Sequence, residues 1–325
     1  MNGRLEKELK MKKNMEVKLN KLPEIFSEFY YYLDGSGKSY TTSKKYIDYV
    51  EEFAKDYTDD KIEKKFYKSV KAKDINKFMS SIRMKNINGE MIRCSDITCA
   101  TKWSALKTFF DFLKEQDYIG NNPVAATKRP TVQKKDNVVY MDKLEIDKVL
   151  DNIKDKSTTE MINRNVAIFS LGVSTGLRVS AITQINIEDV NFINNTISVI
   201  EKRNKYRVIQ FGDNLKCALQ NWLGDREKYF NGVNTDAFFV GRSGERISTD
   251  AVRILLKTYA DGIDGKHITP HKMRASTATN LYEKTGDIFL VADQLGHANI
   301  STTKKYTNIC DKRKQERVFI LDDLI

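Results

Sequence analysis

The sequence is poor in the residues that build metal centres and disulfide frameworks. Its 325 residues include only four cysteines and three histidines. The cysteines show neither a C-x-x-C pair nor zinc-finger spacing, so we expect reduced thiols of the kind found in cytosolic proteins. No cluster of paired carboxylates has metal-ligand spacing either. The sequence therefore predicts a protein without a bound metal or other cofactor.

Long apolar runs are also absent. No stretch approaches the roughly 18 apolar residues that a membrane-spanning helix needs. The first residues are charged throughout and lack the apolar core of a signal peptide. We therefore expect a soluble cytoplasmic protein that makes no contact with a membrane.

Positive charge is the clearest excess. The chain has 55 Lys and Arg against 44 Asp and Glu, a net charge of +11. Residues 1–138 hold 28 basic and 20 acidic residues, whereas 139–325 hold 27 and 24, so most of the surplus lies in the first part. Such a surplus favours a polyanionic partner, most often nucleic acid. The alternative is a lysine-rich proteome in which every surface carries such residues.

The front of the chain has helical periodicity after a basic beginning. Residues 1–22 carry seven basic and three acidic residues without a clear apolar stripe, and we interpret them as a loosely held, partly helical basic lead-in. Helices are predicted near Glu24–Leu33 and Lys73–Met84, and Thr41 or Thr42 is a candidate cap for a third. Apolar residues recur at helical spacing on this third helix and on a later one: Tyr46, Tyr49, Val50, Phe53 and Tyr57, then Trp103, Leu106, Phe110 and Leu113. These aromatic residues either stack on bases or form a core, and the spacing favours the core.

The middle and rear of the chain combine a linker, further helices and one β-hairpin. Residues 121–138 contain prolines, asparagines and basic residues, which is typical of an extended linker between domains. Beyond it, Asp142 is predicted to cap a helix that runs to about Ile153. Alternating residues predict strands at Thr196–Ile200 and Tyr206–Phe211 around the turn E-K-R-N-K. Other helices are predicted near Asn163–Ser174, Leu215–Phe230, Thr249–Ala260 and Pro270–Lys284, with shorter ones after Asp287 and Asn299. The fold class is mainly α with a small β-sheet.

Three short motifs in the rear half carry side chains suited to a phosphodiester. They are T-G-L-R, which ends at Arg178; H-K-M-R, which spans His271 to Arg274; and L-G-H-A-N-I-S-T-T-K-K-Y, which contains His297 and Tyr306. Thr269 and Pro270 form a good helix start, and a helix N-terminus favours anions. Two arginine forks at one point can stabilise a pentacoordinate phosphorus where other enzymes use a metal ion. Tyr306 is a candidate nucleophile.

Each motif alone has an ordinary structural explanation. An isolated H-x-x-R is usually a surface pair, and an arginine after a helix stop usually pairs with an acidic residue. A tyrosine usually packs on its own domain. The order of all three motifs within one segment is what distinguishes them.

This ordered set resembles the tyrosine recombinase family, also called the phage integrase family. The resemblance covers residues 139–310, which would form a mixed α/β catalytic domain, with residues 23–120 as a helical core-binding domain. The family carries an active-site lysine on a β-turn, and I-E-K-R-N-K-Y-R matches with Lys202 at that position. The resemblance implies that Tyr306 forms a 3′-phosphotyrosyl link while Arg178, Arg274 and His297 hold the phosphate. It also implies that Lys202 protonates the 5′-oxygen and that His271 assists proton transfer with Tyr306.

Two positions depart from the family pattern. Ala181 stands three residues after the first arginine, where the family commonly has Glu or Asp, so the active site must be held together by other groups. Ala275 stands after the second arginine, where histidine is frequent. Neither departure removes a catalytic group.

The predicted function is therefore a site-specific DNA recombinase that needs neither metal nor ATP: an integrase, a transposase-like enzyme of a mobile genetic element, or a recombinase that resolves chromosomes or plasmids. Two alternatives stay open from the residues: a type IB topoisomerase, and a DNA-binding protein that keeps the fold without cutting. The expected partners are double-stranded DNA with specific recombination sites and three further copies of the chain in a tetramer, with accessory proteins optional. Residues 311–325 are expected to form a tail, charged over 311–317 and largely apolar over 318–325, whose apolar end docks either on its own domain or on a neighbouring protomer.

Overall fold

The chain divides into two compact units, Met1–Lys134 and Lys135–Ile325. The structure is a computed structural model that describes residues 2–87, 90–132, 138–200, 206–297, 299–304 and 306. The tail 311–325 and the turn 201–205, which contains Lys202, lie outside the described residues. Among the described helices, none combines the length and the apolar composition that crossing a bilayer would require.

The first unit is a helical bundle with one β-hairpin. Its elements are α1 (Asn2–Leu19), α2 (Ile25–Gly35), α3 (Tyr40–Tyr57), α4 (Ala72–Ser81), β1 (Met84–Ile87), β2 (Glu90–Arg93) and α5 (Asp96–Glu115). Strands β1 and β2 are antiparallel, with Met84 opposite Arg93. The helical spacing predicted most of these helices, but it did not predict the hairpin. The helix predicted over Lys73–Met84 ends at Ser81, and Met84 begins β1.

Aromatic side chains form the core of the first unit, as the helical spacing predicted. Phe29 and Phe109 meet edge to face with their ring centroids 5.1 Å apart, and Phe53 meets Phe110 at 6.2 Å. Each of these four rings is at most 1% exposed. Edge-to-face pairs contribute stability beyond the area that they bury. Tyr46, Tyr49, Tyr57 and Trp103 are only half-buried and lie at the margin of this core.

Three predictions about the first unit were wrong in detail. The partly helical lead-in is one continuous helix, α1, and it is not loosely held, since Met15 and Leu19 are buried one turn apart. The cap of α3 is Ser39, whose hydroxyl accepts from the backbone N–H of Thr42, rather than Thr41 or Thr42. The predicted linker begins with a folded 3₁₀ turn, Pro123–Ala126, whose Val124 is fully buried in the core of this unit.

The second unit combines helices with a three-stranded antiparallel sheet in the order β3-β4-β5. Its elements are α6 (Lys143–Lys156), α7 (Thr159–Thr175), α8 (Val179–Ile182), β3 (Val190–Asn191), β4 (Thr196–Ile200), β5 (Tyr206–Gln210), α9 (Asp213–Tyr229), α10 (Thr249–Tyr259), α11 (Pro270–Thr285) and α12 (Ile288–Leu295), followed by a 3₁₀ turn at Ile300–Thr302. The predicted hairpin is confirmed, with Ile200 opposite Tyr206. Asp142 caps α6 in a capping box with Glu145, as predicted for the cap.

Helix α7 lies at the centre of the second unit. Ile168, Phe169 and Leu171 are fully buried, and α9 and α11 pack against this helix. Trp222 on α9 is also fully buried, and its indole N–H donates to the carbonyl of Phe238 at 2.8 Å. This rigid centre positions the C-terminal end of α7, where the first of the three sequence motifs begins.

Candidate active site

Gly176 turns the chain from the end of α7 into the segment that carries Arg178. It adopts a left-handed conformation with φ of 65°, which glycine tolerates at little cost. A Cβ atom at this position would lie 2.8 Å from Cδ2 of Leu295 and 3.3 Å from the side chain of Thr277. Both the backbone conformation and the close approach of α11 and α12 therefore require glycine. Arg178 follows as the N-cap of α8 and is half-buried.

Arg274 joins the first motif to the third. It lies in the first turn-and-a-half of α11, which starts at the predicted Thr269 cap and Pro270. Its side chain is only 5% exposed, and its guanidinium donates to the carbonyls of Gly176 and Leu295. Gly176 precedes Arg178 by two residues, and Leu295 precedes His297 by two residues. One buried cation thus fixes the two backbone turns from which Arg178 and His297 project.

His297 lies directly after the end of α12. Gly296 is the left-handed C-cap of α12, with φ of 63°, and the backbone N–H of His297 donates to the carbonyl of Ala292 at 2.9 Å. The imidazole Nδ1 lies 2.9 Å from the hydroxyl oxygen of Thr303. The ring is half-buried, and its orientation is set by the turn and by Thr303 together.

Tyr306 is linked to His297 through Thr303, and to the helix that carries Arg274 through an apolar cluster. Its backbone N–H donates to the carbonyl of Thr303 at 2.9 Å. Its side chain is 3% exposed and belongs to an apolar cluster with Ala275, Ala278 and Leu295. The structure therefore brings Arg178, Arg274, His297 and Tyr306 into one connected region of the second unit.

The two remaining candidates are placed differently. His271 lies in the first turn of α11, three residues before Arg274, and its side chain is exposed. Lys202 lies outside the described residues, but the strands on both sides of its turn are described. The third histidine of the chain, His267, is exposed and bonds to Asp261 at 2.6 Å, and its carbonyl accepts from Lys272 of the second motif.

Several polar residues that sequence reasoning missed tie the motifs together. Thr277 Oγ1 donates to the carbonyl of Val173 at 2.8 Å, and Gln294 Nε2 donates to the carbonyl of Thr175 at 3.0 Å. The first bond joins α7 to α11, which carries Arg274, and the second joins α7 to α12, which ends just before His297. One sequence signal could have identified Thr277 as a residue that supports the site. It is a polar residue one turn after Arg274, on a helix whose neighbouring positions are buried.

Arg207 and Arg246 hold the elements on either side of the site. Arg207 on β5 donates to the carbonyls of Asp293 and Gln294 at 2.9 and 3.2 Å, which joins the hairpin to the end of α12. Arg246 donates to the carbonyls of Thr183 and Ile185, at the end of α8, at 3.2 Å each. Burial lowers the pKa of Arg246 from its usual value, but an arginine remains charged near neutral pH.

Ala181, where the family commonly has an acid, is buried in the apolar core beneath α8. No carboxylate can act from this position. The links from Thr277, Gln294 and Arg274 are made instead through backbone carbonyls, and they hold α7, α11 and α12 together. Ala275 is likewise buried, next to Tyr306 in the apolar cluster.

The fold and this site define the class of tyrosine-type DNA strand transferases. The model of the phage integrase family matches residues 139–313. The tyrosine recombinase XerC of Histophilus somni is 32% identical over 213 residues, which are 65% of this chain and 70% of that protein. The tyrosine recombinase XerD of Oceanobacillus iheyensis is 32% identical over 227 residues, which are 68% of this chain and 74% of that protein.

Solved structures agree in fold. The XerH site-specific recombinase in a post-cleavage complex with palindromic difH has a TM-score of 0.65 and 21% identity, covering 87% of this chain and 80% of that one. A lambda integrase dimer bound to a COC′ core site has a TM-score of 0.65 and 16% identity, covering 86% and 96%. The chain belongs to the phage integrase family of tyrosine recombinases. The predicted family, fold class and recombinase function are confirmed.

Proposed function

We propose that this chain cuts and rejoins double-stranded DNA at specific recombination sites through a 3′-phosphotyrosyl intermediate on Tyr306. The observation that carries the proposal is the position of Arg274, which binds the turn before Arg178 and the turn before His297 at once. A guanidinium has five N–H donors, so binding two carbonyls is compatible with donation to a phosphate. We infer that Arg178, Arg274 and His297 donate to the same phosphodiester.

Each proposed catalytic residue has one chemical task. Arg178, Arg274 and His297 donate to the nonbridging oxygens and stabilise the charge that develops on them as the phosphorus becomes pentacoordinate. The Oη atom of Tyr306 attacks the phosphorus, and His271 accepts the phenolic proton. Lys202 protonates the departing 5′-oxygen as the bond between it and the phosphorus breaks.

The reaction conserves the number of phosphodiester bonds. Cleavage forms one bond between Tyr306 and phosphorus and breaks one bond between phosphorus and the 5′-oxygen. The 5′-hydroxyl of a different strand then attacks the phosphotyrosine, releases Tyr306 and takes the phosphate. The free energy of the original bond is stored in the intermediate, so the cycle needs neither ATP nor a redox partner.

Recombination of two duplexes requires four cleavages, and we propose that four copies of the chain assemble on two sites. The basic first unit binds the duplex beside the cleavage point, since it carries most of the positive surplus. We infer that the substrate is cytoplasmic DNA. The net charge of +11 favours a nucleic acid, and the cysteine pattern favours a reducing compartment.

The experiment is covalent capture of the target site. Nicked duplexes prepared from the DNA flanking the gene, together with duplexes of randomised sequence, are incubated with the protein in EDTA. The nick lets the short 5′-hydroxyl fragment diffuse away, so the covalent complex accumulates. We expect protein-linked DNA on a denaturing gel, with one sequence enriched among the captured strands.

A second step separates recombination from relaxation. Two duplexes that carry the captured sequence are incubated with the protein, and we expect strand exchange between them that depends on this sequence. Relaxation of a supercoiled plasmid that lacks the sequence, without exchange between sites, would contradict the proposal. Absence of any covalent complex in both pools would contradict it as well.

A further inference from the structure

Thr303 is hydrogen-bonded both to His297 and to Tyr306. Its side chain is completely buried, whereas its neighbour Thr302 is exposed. The Thr303 hydroxyl lies 2.9 Å from Nδ1 of His297, and the Thr303 carbonyl accepts the backbone N–H of Tyr306 at 2.9 Å. One buried residue thus holds the imidazole with its side chain and the proposed nucleophile with its backbone.

The direction of the hydrogen bond to His297 follows from the burial of Thr303. A hydroxyl carries one hydrogen, and a buried hydroxyl that donates to nothing is destabilising. The neighbouring Thr302 donates its hydrogen to the carbonyl of Asn299 at 2.7 Å. Within the described part of the chain, the acceptor within hydrogen-bonding distance of the Thr303 hydroxyl is Nδ1 of His297. The hydroxyl therefore donates, Nδ1 accepts, and the imidazole proton resides on Nε2.

The tautomer of His297 decides what the ring presents to an anion. With the proton on Nε2, the opposite edge of the ring is a hydrogen-bond donor. With the proton on Nδ1, that edge is a lone pair, which repels an anionic oxygen. A partner on one ring nitrogen commonly sets the function of the other.

We propose that Thr303 is a positioning residue that fixes His297 as the Nε2-protonated tautomer, so that the imidazole donates to a nonbridging oxygen of the scissile phosphate. The role at the phosphate depends on the proposed function, but the tautomer does not. Because the bond to Tyr306 comes from the Thr303 carbonyl, a change of the side chain alters His297 and leaves the backbone contact of the nucleophile in place.

The tautomer is measured by NMR on protein with ¹⁵N-labelled imidazole rings, without DNA. The chain has three histidines, so three ring spin systems are expected. His267→Gln and His297→Gln assign two of them and leave His271 as the third. We expect neutral His297 in the wild-type protein to carry its proton on Nε2. In Thr303→Val, which keeps the shape and removes the hydroxyl, we expect a mixture of both tautomers.

The consequence for the reaction is measured as the rate of covalent complex formation on the captured nicked duplex. Thr303→Val should slow cleavage by about 10–100-fold, the usual range when the partner that orients a functional histidine is removed. Thr303→Ser keeps the hydroxyl and should restore most of the rate. Thr302→Val is the matched control, since it removes an exposed hydroxyl one residue away, and it should cleave at the wild-type rate.

A substrate with a bridging 5′-sulfur separates this defect from a loss of the general acid. Sulfur leaves without protonation, so this substrate should rescue Lys202→Ala but not Thr303→Val, whose defect lies at the nonbridging oxygens. The proposal is overturned by Nδ1-protonated His297 in the wild-type protein, by an unchanged tautomer in Thr303→Val, or by failure of Thr303→Ser to recover the rate. If instead the tautomer follows the prediction and the wild-type protein captures no DNA, the proposed function is wrong and the positioning of His297 by Thr303 stands.

Discussion

At the scale of single residues, the site depends on two glycines at helix ends, and at Gly176 the absence of a side chain lets Leu295 and Thr277 approach closely. Gly176 and Gly296 both adopt the left-handed conformation at helix ends. Arg178 follows Gly176 by two residues, and His297 directly follows Gly296. The carbonyl of Gly176 is also an acceptor for Arg274. A side chain at Gly176 would therefore disturb the position of Arg178 and the anchor of Arg274 together.

Gly176→Ala tests this account. The substitution combines an unfavourable left-handed backbone with a Cβ atom 2.8 Å from Leu295. We expect the free energy of unfolding to fall by roughly 1–3 kcal/mol, and covalent complex formation to slow as well. Gly232→Ala is the matched control, because Gly232 has φ of 86° and no atom within 4 Å of the added Cβ. Equal losses of stability and unchanged cleavage in the two variants would contradict the argument from close approach.

At the scale of elements, the β4–β5 hairpin is held to the end of α12 by Arg207. The bonds from Arg207 to the carbonyls of Asp293 and Gln294 fix one strand of the hairpin relative to the turn that carries His297. The turn 201–205 contains Lys202, the proposed general acid. The position of the hairpin therefore sets how far Lys202 lies from the leaving 5′-oxygen.

Arg207→Ala should slow covalent complex formation, because the hairpin loses its anchor and the acid is less well placed. The expected decrease is smaller than the roughly 10²–10⁴-fold decrease for Lys202→Ala, which removes the general acid itself. A substrate with a bridging 5′-sulfur should rescue both variants. Arg253→Ala, an exposed arginine on α10 paired with Asp250, is the control and should cleave normally. Failure of the sulfur substrate to rescue Arg207→Ala would show that the arginine acts elsewhere.

Helix α1 supplies a second prediction at this scale. Met15 is 1% exposed, while Val17 on the same helix is 54% exposed. Met15→Ala should lower the free energy of unfolding by roughly 2–5 kcal/mol, the usual cost of truncating a buried Met. Val17→Ala should change it little, and chemical denaturation of both variants gives the comparison. Similar small effects at both positions would mean that α1 is only loosely held, as the sequence alone suggested.

Local signals predicted the elements better than the contacts between them. Asp142 and the Thr269–Pro270 pair mark helix starts within a few residues, so the sequence was sufficient to place α6 and α11. The predicted cap of α3, Thr41 or Thr42, was wrong, because Ser39 offers a hydroxyl that suits the role equally well. The bonds from Arg274 join residues 98 and 21 positions apart, and no local pattern encodes them. The motifs thus predicted which residues form the candidate site. They did not predict that side-chain bonds to backbone carbonyls hold α7, α11 and α12 together, in a chain that has Ala181 where the family commonly has an acid.

At the scale of the whole molecule, the net charge of +11 governs association with DNA. Each lysine or arginine that neutralises a phosphate releases a condensed counterion, so the binding constant falls steeply as salt rises. The surplus is concentrated in residues 1–138, and the first unit should therefore contribute most of this salt dependence.

Binding measured by fluorescence anisotropy over a range of potassium chloride tests this statement. For a protein that makes six to ten phosphate contacts, raising the salt from 50 to 200 mM weakens binding by about 10³–10⁵-fold. Double substitution of Lys44 and Lys45 to Gln, on the exposed side of α3, should reduce the slope of log Kd against log salt. Neutralisation of the acidic surface residue Asp155 by substitution to Asn, in the second unit, is the control and should leave the slope unchanged. A slope near zero for the wild-type protein would contradict binding through the DNA backbone.

The central claim is that Tyr306 is the residue that becomes joined to DNA. The most direct measurement is mass spectrometry of the peptide that carries the nucleotide after capture on a nicked duplex in EDTA and digestion with protease and nuclease. We expect the adduct on Tyr306, no adduct in Tyr306→Phe although this variant still binds DNA, and a normal adduct in Tyr282→Phe, whose ring packs beside the same cluster. An adduct on another residue, or a covalent complex that persists in Tyr306→Phe, would contradict the account.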